Sequence, residues 1–153
     1  MAGASNRLAR SLTAGIRGNA LTVDLGLLVL RVTVGLAFAT VFEKFLPRDG
    51  VWGPQPWFVD DVARMGFPLP VVFAWLASLS EFVGGILLVL GLWTRPAALA
   101  NCGVTAVALF VYHDGDIGQT GLTAAVFLVM CTTLALAGPG RVSADGWLAR
   151  RGR

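Results

Sequence analysis

Long apolar stretches separated by short polar ones run through most of the chain, and this pattern predicts helices that cross a membrane. A helix of about 20 apolar residues spans a hydrocarbon core about 30 Å thick. Four stretches have this character, at about 24–45, 70–93, 96–113 and 120–137. The second of them, within PVVFAWLASLSEFVGGILLVLGLWTR, contains one carboxylate, Glu81, near its middle. The pattern therefore predicts an all-α integral membrane four-helix bundle.

A polar loop of about 25 residues follows the first span and contains a short amphipathic segment from Pro56 to Met65. Helical spacing divides this segment into a face directed at the lipid and a face directed at water. The lipid face is formed by Trp57, Phe58, Val62 and Met65, and the water face by Asp60, Asp61 and Arg64. We expect an interfacial helix here. The chain then divides into an N-terminal segment (1–20), a membrane domain (21–140) and a basic tail (141–153).

Composition supports the membrane assignment. The chain is 56% hydrophobic and 14% charged, with a mean hydropathy of +0.71, whereas soluble domains carry about 25% charged residues. The net charge of +3 does not indicate nucleic-acid binding, because the basic residues lie at the chain ends and in short loops. Eight of the twelve Lys and Arg residues fall in the N-terminal segment, the Arg95 turn and the tail. The positive-inside rule therefore predicts that both termini are cytoplasmic and that the long loop is external.

Metal and haem chemistry receive little support from the residues. His113 is the sole histidine, which excludes a haem ligated by two histidines of this chain, and no Cys/His cluster indicates zinc or iron–sulfur. Cys102 and Cys131 lie in separate spans without a CxxC pair. They are interpreted as packing residues rather than a disulfide, although their similar predicted depth leaves pairing open.

Three polar residues fall inside the spans at similar predicted depth: Glu81, Arg31 and Asn101. An ionisable group at that depth costs at least about 2.5 kcal/mol and needs a partner, so Arg31 is the expected partner of Glu81, with Asn101 beside them. One interpretation is a structural polar lock between helices. The other is a buried site for a polar headgroup such as a quinone, or for proton transfer.

His113 ends the third span at the external interface. A lone histidine in this position is commonly a solvated end residue. Its reference pKa of about 6.5 also suits proton exchange near an interfacial quinone site. The candidate catalytic residues are therefore Glu81, Arg31 and His113, and the candidate ligand-binding residues are Asn101, Arg31 and Glu81.

Several segments together resemble the DoxX family of small four-span membrane proteins. The most specific is MGFPLP…SLSEFVGGILLVLGLWTRPAAL, and it is accompanied by LRVTVGLAFATVFEKF in the first span and by GPGRVSAD after the fourth. His113 occupies a position where members commonly have a histidine. The chain departs from the family pattern at Val41 and Phe42, and at 119–121, where many members have a glutamate.

The resemblance implies a membrane bundle related to subunits of quinone-linked oxidoreductases, placed in a bacterial plasma (inner) membrane. The leading hypothesis is an accessory subunit of a respiratory or redox complex, with a quinone as the implied cofactor and other redox subunits as partners. A membrane anchor or assembly factor, and a small transporter, are the alternatives. Whether the chain is itself an enzyme and whether it self-associates stay open.

Overall fold

The computed structural model describes residues 20–44, 52–118 and 120–152, and the regular elements within them are helical. Six α-helices follow one another along the chain: α1 (Ala20–Ala39), α2 (Pro56–Arg64), α3 (Pro70–Leu90), α4 (Thr94–Val107), α5 (Leu122–Ala137) and α6 (Ala144–Arg151). A 3-10 turn (Thr40–Lys44) extends α1, and a π-helical turn (Ala108–Tyr112) extends α4. The predicted segment 1–20 lies outside the described residues except for Ala20, where α1 begins.

Four of these helices form the bundle. Helix α3 packs between α1 and α4, and α5 packs against α4 and α1. Three helical segments, Leu21–Ala39, Pro70–Leu90 and Thr94–Tyr112, are long and apolar enough to cross a membrane, and Leu122–Ala137 is a shorter apolar helix. Large apolar side chains on all four face outward, among them Val29, Leu79, Leu99 and Val129. The predicted all-α membrane bundle is confirmed, whereas the orientation of the termini stays a prediction.

Glycines allow α1 and α3 to approach closely at mid-membrane. A Cβ on Gly35 would lie 2.6 Å from the carbonyl oxygen of Gly85, and one on Gly85 would lie 2.7 Å from the carbonyl oxygen of Gly35. Small residues of this kind permit tight helix packing where no hydrophobic force distinguishes protein from lipid. Next to this contact, on the side of the α1 N-terminus, the core is apolar, and Val34, Leu88 and Leu134 are fully buried at 0% exposure.

The placement of α2 at the membrane interface stays a prediction, and the short helix itself is present in the predicted segment. It packs on α3, with Val62 buried at 3% exposure, and Phe58 lies under the ammonium of Lys44, which is 4.5 Å from the ring centroid. Asp61, expected to face water, is only 18% exposed in its side chain. Val62 on the predicted lipid face is thus a protein contact, whereas Trp57 on the same face is 51% exposed. We call α2 the lid helix, and its side of the bundle the lid end.

The opposite, tail end is held by the segment after α5. The carboxylate of Asp145 accepts hydrogen bonds from the backbone N–H groups of Trp93 (2.9 Å) and Thr94 (3.0 Å), and so caps the start of α4. The Asp145 N–H donates to the carbonyl of Gly91 (2.9 Å), and Asp24 accepts from the Arg141 N–H (2.8 Å). We call this set of contacts the tail clasp.

Adding one methyl group at Gly35 tests the close helix contact. Gly35→Ala should lower stability by about 1–3 kcal/mol, because the new methyl overlaps backbone atoms of α3. Thermal unfolding of the purified protein in detergent measures the change. Gly26→Ala is the matched control, because a Cβ there meets nothing within 4 Å; equal unfolding temperatures for the two variants would contradict the packing described.

Removing the Asp145 carboxylate tests the tail clasp. Asp145→Ala should cost about 1–2 kcal/mol, the usual loss for a helix cap, and should expose the chain after Arg141 to trypsin. Limited proteolysis followed by mass spectrometry measures cleavage at Arg141. The exposed Asp60→Ala variant should leave the cleavage rate unchanged, and unchanged cleavage in Asp145→Ala would show that the clasp does not hold the tail.

Candidate functional site

A cavity of about 600 Å³ lies at the lid end, between α3 and α4 and beneath α2. Its size falls within the 300–1,000 Å³ typical of small-molecule sites. The walls are mostly apolar and rich in aromatic rings, namely Trp57, Phe58, Phe67, Phe73 and Tyr112. Leu76, Ala100 and Gly103 line the cavity and are themselves exposed, so the cavity opens sideways between α3 and α4, where lipid would surround the bundle. We call it the main cavity.

One ion pair forms the charged centre of this cavity. The Lys44 ammonium nitrogen lies 2.7 Å from a carboxylate oxygen of Glu81, and the two side chains are 22% and 10% exposed. Helical side chains lean toward their helix N-terminus. Lys44 therefore leans down into the bundle while Glu81, on an antiparallel helix, leans up toward the lid end, and the two charges meet.

Lys44 also holds the lid helix. Its backbone carbonyl accepts a hydrogen bond from the Gln55 N–H (3.0 Å), directly before α2, and its ammonium contacts the Phe58 ring. At the other end of α2, the Tyr112 hydroxyl donates to Asp61 (3.4 Å), which also pairs with Arg64 (3.1 Å). The lid thus rests on the same residue that neutralises Glu81.

His113 joins Glu81 in the wall of the main cavity. The π-helical turn Ala108–Tyr112 precedes it, and the His113 N–H donates to the Ala108 carbonyl (3.1 Å). A π-turn adds a residue to the helix and redirects the side chains that follow, which is why such turns are frequent at functional sites. The His113 ring packs edge-on against Tyr112, with centroids 4.8 Å apart.

A second cavity of about 250 Å³ lies on the other side of these residues, between α1, α4 and α5. Glu81, Ala108 and His113 line both cavities. The remaining walls of the second cavity are apolar except for the hydroxyls of Thr105 and Thr123. Glu81 and His113 therefore stand on a partition with a chamber on each side.

The expected Arg31–Glu81 pair is wrong. A guanidinium nitrogen of Arg31 donates to the carbonyl of Val142, Asp145 is the opposite charge acting on it, and a side chain on Gly91 would overlap it. Gly91 is ten residues from Glu81 along the chain, about 15 Å on a helix axis. The similar depth predicted for Arg31 and Glu81 refers to their backbone positions. Their side chains lean in opposite directions, because the two helices are antiparallel. Arg31 lines neither cavity. Its contact with Val142 adds it to the tail clasp.

Asn101 lies nearer to the site but outside it. It is fully buried, and its amide rests against Gly84, where a Cβ would come within 2.9 Å of Nδ2. Gly84 is one helical turn from Glu81. Neither amide atom of Asn101 has a hydrogen-bond partner among the described residues, and Asn101 lines neither cavity. Its predicted contact with a ligand headgroup stays a prediction.

Cys102 and Cys131 are free thiols. Cys131 is buried at 0% exposure in the apolar core, and Cys102 packs against that core. The described residues contain no group of three or more His, Cys, Asp or Glu side chains that could hold a metal ion.

Lys44 is the site residue that sequence reasoning missed. Its position at the end of the first span predicts a residue at the membrane interface, and its contact with Glu81 inside the bundle is visible only once α1 and α3 are paired. The available signal was Glu81 itself: a mid-span carboxylate needs a cation, and Lys44 and Arg31 are the basic residues of the first span.

The geometry defines a small polytopic membrane protein whose helical bundle encloses a lidded, lipid-facing cavity with one buried ion pair. The chain belongs to the DoxX family, whose model matches residues 26–114. It is 30% identical to the inner membrane protein YqjF of Escherichia coli, over 84% of this chain and 95% of the relative. It is 32% identical to the inner membrane protein YphA of the same organism, over 78% and 87% respectively. No solved structure matches.

A double-mutant cycle on the ion pair tests its coupling. Lys44→Met and Glu81→Gln should each destabilise the protein by about 1–3 kcal/mol, because each strands a partly buried polar partner. The double variant should lose less than the sum of the two. Thermal unfolding in lipid nanodiscs is the measurement. Arg64→Met, which breaks a pair with the arginine side chain 78% exposed, should cost less than about 1 kcal/mol; strictly additive losses at 44 and 81 would contradict the pairing.

Proposed function

We propose that this protein is a plasma-membrane subunit of a quinone-linked oxidoreductase complex and that its main cavity receives the quinone headgroup. The observation that carries the proposal is the Lys44–Glu81 pair, a polar centre inside an apolar, aromatic cavity. A purely structural lock has no need of a cavity of about 600 Å³ around it. The position of the opening, between two membrane-spanning helices, suits a ligand that arrives through the lipid.

The residues present fit a quinone. Its ring would find flat aromatic neighbours in Trp57, Phe58 and Tyr112, and aromatic rings favour offset or edge contacts with such partners. Its carbonyl oxygens need hydrogen-bond donors, which the Lys44 ammonium and the His113 ring supply. When bound, a quinone would supply two-electron, two-proton chemistry.

The chain's own residues divide the remaining tasks. Lys44 orients the ligand and pairs with Glu81, while Glu81 and His113 exchange protons with the bound ligand. The lid helix excludes water, which strengthens each electrostatic contact in the cavity. We propose that a partner subunit exchanges electrons with the quinone, in line with the redox complexes that the family resemblance implies. The partner would dock at the basic tail end.

Ligand binding tests the proposal directly. A short-chain benzoquinone titrated into the protein in nanodiscs should quench tryptophan fluorescence saturably, and Trp57→Phe should remove much of that quenching. Glu81→Gln should weaken binding about tenfold, the effect of losing about 1.4 kcal/mol, because it releases Lys44 from its fixed position. The exposed Asp60→Asn variant is the matched control and should bind normally.

Two results would count against the proposal. Identical benzoquinone affinities for the wild type and Glu81→Gln would show that the Lys44–Glu81 pair does not contribute to binding. Gentle detergent extraction that recovers the bundle without redox subunits or quinone, across several growth conditions, would favour an anchor or a transporter instead.

A further inference from the structure

The second cavity has room and polar groups enough for water. Its volume of about 250 Å³ accommodates several water molecules at about 30 Å³ each. A buried water needs two to four polar partners, and the walls offer the Glu81 carboxylate, the His113 ring and the hydroxyls of Thr105 and Thr123. The Thr105 hydroxyl already donates to the Asn101 carbonyl (2.8 Å), so its oxygen is directed to accept.

The two ends of this cavity differ. Thr123, in the first turn of α5, is exposed, and it follows the polar loop that contains Asp114 and Asp116, so the cavity reaches the surface at the lid end. At the deep end the rings of Phe38 and Phe127, both lining the cavity, lie 5.2 Å apart. Toward the tail end from these rings lie the fully buried apolar side chains of Val34, Leu88 and Leu134.

We propose that the second cavity is a water-filled proton vestibule that connects Glu81 and His113 with the aqueous phase at the lid end. Only the source of the protons rests on the proposed function, since ligand chemistry in the main cavity would exchange them with these two residues. Each proton then passes between the Glu81 carboxylate or the His113 ring and a water of the vestibule. The Phe38–Phe127 contact stops the water chain, so protons exchange with one side of the membrane and do not leak across it.

This arrangement assigns a different access route to each face of the partition. The main cavity opens between α3 and α4 to lipid, whereas the vestibule opens at the start of α5 to water. A lipid-soluble ligand and its protons therefore reach Glu81 and His113 from separate directions.

Cysteine accessibility distinguishes a wet vestibule from a dry one. Each variant is built with Cys102 and Cys131 replaced by alanine, reconstituted in vesicles and exposed to a water-soluble cationic methanethiosulfonate. Thr105→Cys should be modified although Thr105 is only 5% exposed, and Val129→Cys should stay unmodified although Val129 is 65% exposed, because its surroundings are lipid. Filling the cavity with Ala124→Phe should abolish modification of Thr105→Cys. Mass spectrometry reads the result.

The outcomes separate the vestibule from the ligand site. An unmodified Thr105→Cys in a folded protein that still binds the benzoquinone overturns the vestibule and leaves the proposed function standing. Modification of Thr105→Cys without benzoquinone binding supports the vestibule and counts against the proposed function. If Thr105→Cys does not fold, Ala37→Cys, which lines the second cavity and not the main cavity, takes its place with the same expectations, and its failure to react likewise overturns the proposal.

Discussion

The contact between Lys44 and Glu81 is the interaction on which the lid end depends. A carboxylate at this depth would be costly alone, and the ammonium 2.7 Å away offsets part of that cost and joins the end of α1 to α3. The same lysine accepts the Gln55 N–H through its backbone and covers the Phe58 ring with its charge. The position of the lid helix and the electrostatics of the main cavity therefore both depend on Lys44.

Charge is divided between the two ends of the bundle, and the division separates structure from chemistry. At the tail end Arg31, Asp24 and Asp145 satisfy backbone groups of helix ends and of the closing segment. At the lid end Glu81, Lys44 and His113 line cavities. Between them lies a buried apolar cluster around Leu88 and Leu134, with the buried amide of Asn101 on α4 nearer to Glu81.

The tail clasp gives a physical account of two segments that carry the family resemblance. Gly91, in LGLWTR, has a φ of +66°, and any side chain there would overlap Arg31. Asp145, in GPGRVSAD, caps α4 from more than fifty residues away in the chain. The glycine, the arginine and the aspartate thus join the turn before α4 to the tail segment, and their residue types follow from packing rather than catalysis.

The sequence by itself determined that the chain is helical and membrane-embedded, because apolar runs of this length have no other way to satisfy their backbone. It also singled out Glu81 and His113, since an ionisable group at depth and a lone histidine at a span end are visible without a fold. Only the tertiary structure decided which cation meets Glu81: Arg31 and Lys44 lie on the same helix, and the choice follows from the register of α1 against α3, set by Gly35 and Gly85, and from the opposite lean of side chains on antiparallel helices. The packing of α2 on α3 and the two cavities around Glu81 arise from the same arrangement of helices, which no local pattern encodes.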